Sequence, residues 1–231
     1  MFRRTPRPDY YSLRYYESSY SDLHSVSEHE RKALVLLGIQ ANDVILDVGC
    51  GRGTLLREVA QMCQWAVGVD YSWAAVNIAK MNIEALKMAD IIRASATYLP
   101  FRDMSFNKVS MLEVLEHLDK KDSILAIDEV YRVLKNGGKS IISTPYVEFP
   151  ISLLSRIYRI MTRSIFSSLH VDEKSIRRIK RLMYKFSNKF ILIGSRGENA
   201  KNWRDKLITT LKYPHPKLSG QLTIISYKAG K

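Results

Sequence analysis

The chain is poor in cysteine, has no long apolar run and is almost without acid in its last third, and each shortage excludes something. Two cysteines among 231 residues, Cys50 and Cys63, cannot make a disulfide framework and lack any paired zinc-ligand spacing. No apolar run reaches the ~18 residues that cross a membrane. The opening MFRRTPRPDYY lacks the apolar stretch of a secretory leader. Internal repeats and low-complexity tracts are absent too. What remains is 46% hydrophobic and 26% charged, an ordinary globular composition. The expectation is a cytoplasmic protein of one domain, with a core large enough to fold without covalent staples.

Residues 1–150 carry 18 Lys and Arg against 19 Asp and Glu, whereas residues 151–231 carry 18 against 4. The net charge of +13 therefore comes entirely from the last third. No acid stands between Glu148 and Asp172, or between Glu173 and Glu198. Such asymmetry points to an anionic partner (nucleic acid, a membrane surface or a phosphorylated substrate) or serves solubility alone.

Hydrophobic periodicity divides the chain into alternating strands and helices. Ser27 with Glu30 forms a capping box, and the helix behind it turns Ala33, Leu34 and Leu37 inward and stops at Gly38. Strands are predicted at 44–48, 65–70, 90–94, 106–112 and 139–144, the last stopped by Pro145, with two more at 190–195 and 222–228. Helices are predicted from Thr54 to about Cys63, from a Ser72 cap to about Met88, and from Ser123 to Leu134, ended by Asn136, Gly137 and Gly138. Alternation of this kind implies βαβ units and a parallel sheet, whose ligand sits beyond the C-terminal strand ends.

The first strand ends in Asp47-Val48-Gly49-Cys50-Gly51-Arg52-Gly53. Alternating glycines permit positive φ and let backbone N–H groups approach a ligand. The helix that follows adds a partial positive charge, which favours an anionic group. The second strand ends in Asp70, whose carboxylate can accept from two vicinal ribose hydroxyls. The spacing G-x-G-x-G, with an acid two positions ahead, differs from the dinucleotide pattern G-x-G-x-x-G.

The stretches VILDVGCGRGTLL, VGVDYS, LPFRDMSFNKVSMLEVLEHL and EVYRVLKNGGKSIISTP resemble the class I S-adenosylmethionine-dependent methyltransferases, in particular the small-molecule type whose fourth strand ends in V-L-E-H-L. The resemblance covers about residues 35–145. It implies an α/β, doubly wound, Rossmann-like sheet of seven strands, mostly parallel with one antiparallel strand and helices on both faces. It also implies S-adenosyl-L-methionine as cofactor. Gly49, Gly51 and Gly53 would wrap its methionine part, with Cys50 contributing backbone only, and Asp47 would orient the ammonium. Asp70 would hold the ribose, and Tyr71, Ser95 and Ala96 would lie beside the adenine. Leu112 and Glu113 would line the pocket. Family members usually carry Asp where Ser95 stands, and many carry Asp where Asn107 stands. The implied layout is a single methyltransferase domain over 1–231, with an N-terminal helical cap over 1–40 and a basic helical insertion or lid over 146–189.

Methyl transfer needs no metal; the protein positions the nucleophile and, where required, removes its proton. His117 is either that base or a residue that stabilises its loop, and Glu113 is the other candidate. Residues 151–169 form an amphipathic pattern, with Arg156, Arg159 and Arg163 on one side and Leu154, Tyr158, Met161 and Ile165 opposite. That pattern suits a lid, a membrane-surface helix or a dimer interface. Residues 174–189 add Arg177, Arg178 and Arg181 around a second apolar stripe. Three functions follow: methyl transfer to oxygen or nitrogen of a small or lipid-like metabolite, the same chemistry on tRNA or rRNA guided by the basic C-terminal face, or a cofactor-binding scaffold or partner subunit without activity. The anionic partner is testable. Binding to vesicles of anionic lipid should be lost when Arg156, Arg159 and Arg163 are replaced by Gln, since each surface cation contributes about 1 kcal/mol. RNA binding should instead depend on Arg177, Arg178 and Arg181 and weaken linearly with the logarithm of salt. Sedimentation and filter binding that detect neither at low salt would exclude both partners.

Overall fold

The structure, a computed structural model, describes residues 24–146, 190–196 and 220–228. The basic stretches 151–169 and 174–189, with Arg156, Arg159, Arg163, Arg177, Arg178 and Arg181, lie outside the described residues, as do residues 1–23 of the expected cap.

Helix α1 (Glu28–Leu37) begins where the capping box predicts: Glu30 N–H donates to Ser27 Oγ at 3.2 Å, and Ser27 N–H to Glu30 Oε2 at 2.6 Å. It ends at Gly38, in the left-handed conformation with φ 61°. The strands are β1 (Val44–Val48), β2 (Trp65–Asp70), β3 (Ala89–Arg93), β4 (Phe106–Leu112), β5 (Leu134–Tyr146), β6 (Phe190–Arg196) and β7 (Gly220–Tyr227). Between them run α2 (Thr54–Ala60), α3 (Trp73–Ile83) and α4 (Lys120–Val133). The seven strands form one sheet in the order β3-β2-β1-β4-β5-β7-β6. β1 to β5 pair in parallel, and β7 runs antiparallel to both β5 and β6. The strand order reverses between β1 and β4, so the cleft opens at the C-terminal ends of these two strands.

Alternation along β1 sends Leu46 and Val48 to one face and Ile45 to the other. Leu46 and Val48 pack with Ala126, Ile127 and Val130 of α4, while Ile45 packs with Ala33 and Leu37 of α1 and Leu55, Leu56 and Val59 of α2. Helices on both faces make the sheet doubly wound, the expected α/β, Rossmann-like class. Among the described residues no helix is long and apolar enough to cross a membrane.

Helices α2 and α3 end earlier than the sequence reading, at Ala60 and Ile83 rather than about Cys63 and Met88, and other boundaries differ where distant groups decide them. α4 starts at Lys120, three residues before Ser123, because Asp119 caps it by accepting from Asp122 N–H at 2.9 Å. The Asn136-Gly137-Gly138 bend lies within the long strand β5, which begins at Leu134; Gly137 has φ 73° and its N–H donates to Lys228 O at 2.9 Å. Lys228 Nζ also donates to the carbonyls of Tyr131 and Leu134, so a side chain from the C-terminal strand region satisfies the end of α4 where a glycine cap was expected. Pro145 does not stop β5: it pairs with Gln221 of β7.

The opposite, N-terminal edge of the sheet is tied by a buried ion pair. Lys108 of β4 donates to Asp43, just before β1, and to Gly38 O at 2.6 Å. Asp43 also accepts from Gln40 N–H at 2.7 Å, so the α1–β1 connection closes on β4. Asn107 joins the same edge, accepting from Val44 N–H at 3.0 Å. Lys108→Met should destabilise the protein by about 3–5 kcal/mol, because it leaves Asp43 charged and buried without its cation. Denaturant unfolding should show the loss, and the double variant with Asp43→Asn should recover part of it.

Candidate functional site

The loop from β1 to α2 turns left-handed at three positions, with φ 73° at Gly49, 52° at Gly51 and 72° at Gly53. A side chain at Gly49 would come within 2.3 Å of Val114, and one at Gly53 within 3.0 Å of Ala79, so both are packing requirements as well as turn requirements. At Gly51 a Cβ would meet nothing within 4 Å; here glycine leaves open space at the cleft.

The loop's amides are engaged within the protein, contrary to the expectation that they reach a ligand. Gly49 and Cys50 N–H both donate to Val69 O, at 2.8 and 2.9 Å, and Gly53 N–H donates to Cys50 O at 2.8 Å. Gly51 N–H donates to Asp70 Oδ2 at 2.9 Å, and Ser72 N–H to Asp70 Oδ1 at 2.9 Å. Asp70 thus clamps the loop to the end of β2. Its two oxygens keep further acceptor capacity, as a carboxylate offers about four lone-pair sites.

Nor does α2 wait for an external anion. Thr54, its first residue, donates its hydroxyl to Glu30 Oε1 at 2.5 Å, so a carboxylate of α1 already stands at this helix start. Asp47, only 4% exposed, accepts from Ser110 Oγ at 2.8 Å. Burial pushes its carboxyl up to about 7, Ser110 opposes the rise, and the charges of Glu30 and Asp70 add to it. Burial likewise raises Asp70. Three carboxyls therefore stand around the glycine loop against one buried cation of the loop itself, Arg52, a balance that suits a cationic ligand.

Cys50 puts its thiol into the core, where burial raises it well above the usual thiol range; it offers no nucleophile. Its room comes from Gly68 of β2, where a Cβ would sit 2.9 Å from the Cys50 sulfur. Sequence reading passed over Gly68, since a lone glycine inside a strand carries no motif. At the end of β2, Tyr71 is 45% exposed, with the Arg93 guanidinium 6.0 Å from its ring centre. Ser95 accepts from Thr97 N–H at 3.2 Å, forming a local turn, and Ala96 is half-buried beside it. The loop that follows is held from α4: Glu129 accepts from Leu99 N–H at 2.6 Å, and Arg132 donates to Leu99 O, Phe101 O and Asp103. The i, i+3 spacing of Glu129 and Arg132 was the available signal for this clamp.

Across the cleft, β4 ends in half-buried Leu112, and Glu113 takes φ 55°, rare for a residue with a side chain. Glu113 N–H donates to Ser143 O at 3.1 Å, and Ser143 Oγ donates to Glu113 Oε1 at 3.0 Å. A 3₁₀ turn over Leu115–His117 follows. His117 is half-buried, and its N–H donates to Val114 O at 3.0 Å. The structure thus brings Asp47, Gly49, Gly51, Gly53 and Asp70 into one bonded loop assembly, and Gly49 packs on the Val114 turn that carries Glu113 and His117. Among the described residues no group of three or more His, Cys, Asp and Glu could hold a metal ion.

Residues 46–142 match the family model described as a methyltransferase domain. A sterol 24-C-methyltransferase from Saccharomyces cerevisiae is 31% identical over 119 residues, covering 49% of this chain and 30% of that protein. A demethylmenaquinone methyltransferase from Clavibacter sepedonicus is 30% identical over 132 residues, covering 56% and 51%. The chain thus spans about half or less of the length of these relatives. Among solved structures, a Haemonchus contortus phosphoethanolamine N-methyltransferase 2 in complex with phosphomonomethylethanolamine and S-adenosylhomocysteine shares the fold, with TM-score 0.71 at 18% identity over 94% of this chain and 57% of that one.

Because Asp47 titrates near 7, a ligand that places a cation beside it binds its ionised form better. Affinity for such a ligand should be low below that pH, rise through it and level off above, with protons released on binding near neutrality. Calorimetry in buffers of different ionisation enthalpy reads this directly, and Asp47→Asn should abolish both the pH dependence and the proton release.

Proposed function

We propose that the chain, whose residues 46–142 match the methyltransferase-domain model, is a class I S-adenosylmethionine-dependent methyltransferase that transfers a methyl group from S-adenosyl-L-methionine to a small, lipid-like acceptor. The observation that carries the cofactor reading is the ring of carboxyls, Glu30, Asp47 and Asp70, around a glycine loop with open space at Gly51. A dinucleotide brings phosphates, which such a ring repels. S-adenosylmethionine brings an ammonium and a sulfonium, both cationic, and a ribose with two hydroxyls. The residues present fit it.

In this reading Gly49, Gly51 and Gly53, with the backbone of Cys50, shape the space for the methionine part, and Asp47 faces the ammonium. Asp70 offers its free lone pairs to the ribose. Tyr71, Ser95 and Ala96 flank the adenine, and Leu112 and Glu113 close the wall opposite. When bound, the cofactor supplies an activated methyl group. The chain's own task is to exclude water, hold the acceptor in line and, where the acceptor is protonated, take its proton. Glu113 and His117 are the groups at the end of β4 able to do so. The sterol relatives are by name C-methyltransferases, which adds carbon to oxygen and nitrogen as acceptor atoms. The lipid-like acceptor rests on those names and on the menaquinone relatives. The proposed layout is one domain, with α1 as part of an N-terminal cap.

Calorimetry should show binding of S-adenosylmethionine and S-adenosylhomocysteine and none of NAD. Asp70→Asn should weaken both by about ten- to a hundredfold, since bonds to a charged acceptor contribute about 1.5–3 kcal/mol each. A labelled-methyl assay against fractionated extract should then place the label in the lipid or small-metabolite fraction. Label in RNA would overturn the acceptor class, and tight cofactor binding without transfer would favour an inactive scaffold.

A further inference from the structure

Glu116 is only 1% exposed, yet it lies on the turn just past β4, and no step above uses it. Glu113 lies beside it and acts on it through its charge, and the Glu116 Oε2 accepts from Thr144 Oγ1 at 3.2 Å, next along β5 from the Ser143 that bonds Glu113. Two carboxyls that share a buried site do not both ionise readily, so one keeps its proton. The surroundings decide which holds it. Glu113 is half-buried and has the Ser143 hydroxyl on Oε1 at 3.0 Å, a donor that supports a charge. Glu116 is deeper and has one long bond from Thr144. β5, which packs on this turn, presents hydroxyls here, Ser143 and Thr144. Among the described residues the charge that acts on Glu116 is that of Glu113, just past β4, and the titratable neighbour on its own turn is His117.

We propose that Glu116 is a positioning residue: in its carboxylic-acid form it donates to the Glu113 carboxylate, fixing Glu113 as an oriented anion at the acceptor end of the cleft. Burial and the neighbouring Glu113 charge hold the Glu116 carboxyl well above its usual range, in keeping with this role. Glu113 then accepts from Ser143 and Glu116 and has its backbone N–H tied to Ser143 O, which together hold a residue in a strained left-handed backbone. The inference rests on the methyltransferase reading only for what Glu113 does; the proton's location stands by itself.

The test uses the full chain without ligand. Infrared difference spectra at neutral pH, taken in an Asp47→Asn background because Asp47 is itself partly protonated there, should show a protonated carboxylic acid band that is lost on Glu116→Gln and kept on Glu113→Gln. The reverse pattern, or no band lost on Glu116→Gln, overturns the proposal. Because Glu116 is favoured protonated in the fold, its contribution to stability is full below the ordinary carboxyl range and is lost as pH rises from there through its folded titration. The wild-type melting temperature should therefore fall over that window, to which Asp47 and Asp70 also contribute, and Glu116→Gln, whose amide donates at any pH, should fall by less. In the labelled-methyl assay Glu116→Gln should keep at least about half the wild-type rate, whereas Glu116→Leu should lose about tenfold or more, as expected for lost orientation. Glu116→Gln as inactive as Glu116→Leu, with both folded, would overturn the donor role. A wild type without transfer would instead count against the methyltransferase reading, with the infrared result unaffected.

Discussion

Everything at this cleft depends on the left-handed path of the chain between β1 and α2. Three positive-φ glycines let Gly49 and Cys50 direct their amides to one carbonyl, Val69 O, and let Gly51 present its amide to Asp70. The loop is thereby sewn to the end of β2 by its own hydrogen bonds. Buried amides must find partners, and these partners are all internal. What the loop offers a ligand is a shaped space bordered by carboxyls.

That arrangement has an electrostatic cost, and the surrounding structure meets it locally. Asp47 is buried on a central strand, and Ser110 of the adjacent strand donates to it. Glu30 satisfies Ser27 N–H and the Thr54 hydroxyl at once, joining the starts of α1 and α2. The segment ahead of α1 is fastened to the same region: Arg57 donates to His24 O at 3.0 Å, and Asn82 of α3 donates to Arg52 O at 2.8 Å while bonding His24 through its own carbonyl. α1 therefore supports the loop as well as covering a face of the sheet.

The two sides of the cleft are not independent. Gly49 lacks a Cβ where Val114 packs, so the glycine loop and the turn after β4 meet without a gap. Glu113 sits between them in a strained conformation that hydrogen bonds from β5 maintain. In a closely packed interior a shift on one side is felt on the other, which couples the loop that suits a cation to the carboxyl pair opposite.

The residues near in sequence were legible from the chain alone. The capping box at Ser27, the stop at Gly38, the strands β1, β2 and β4 and the G-x-G-x-G turn depend on local sterics and hydrophobic period, which are written in consecutive residues. Boundaries shifted where a distant group decided them: Lys228, from the far end of the chain, takes the carbonyls at the end of α4, and β7 carries β5 past Pro145. The sequence alone placed Asp47 and Asp70 at strand ends. Only the tertiary structure turned the loop amides inward, set Glu30 at the start of α2, and buried Glu116 against Glu113. Those outcomes depend on which charges share a low-dielectric space, and that is settled when the strands pair and the helices pack, not by neighbours along the chain.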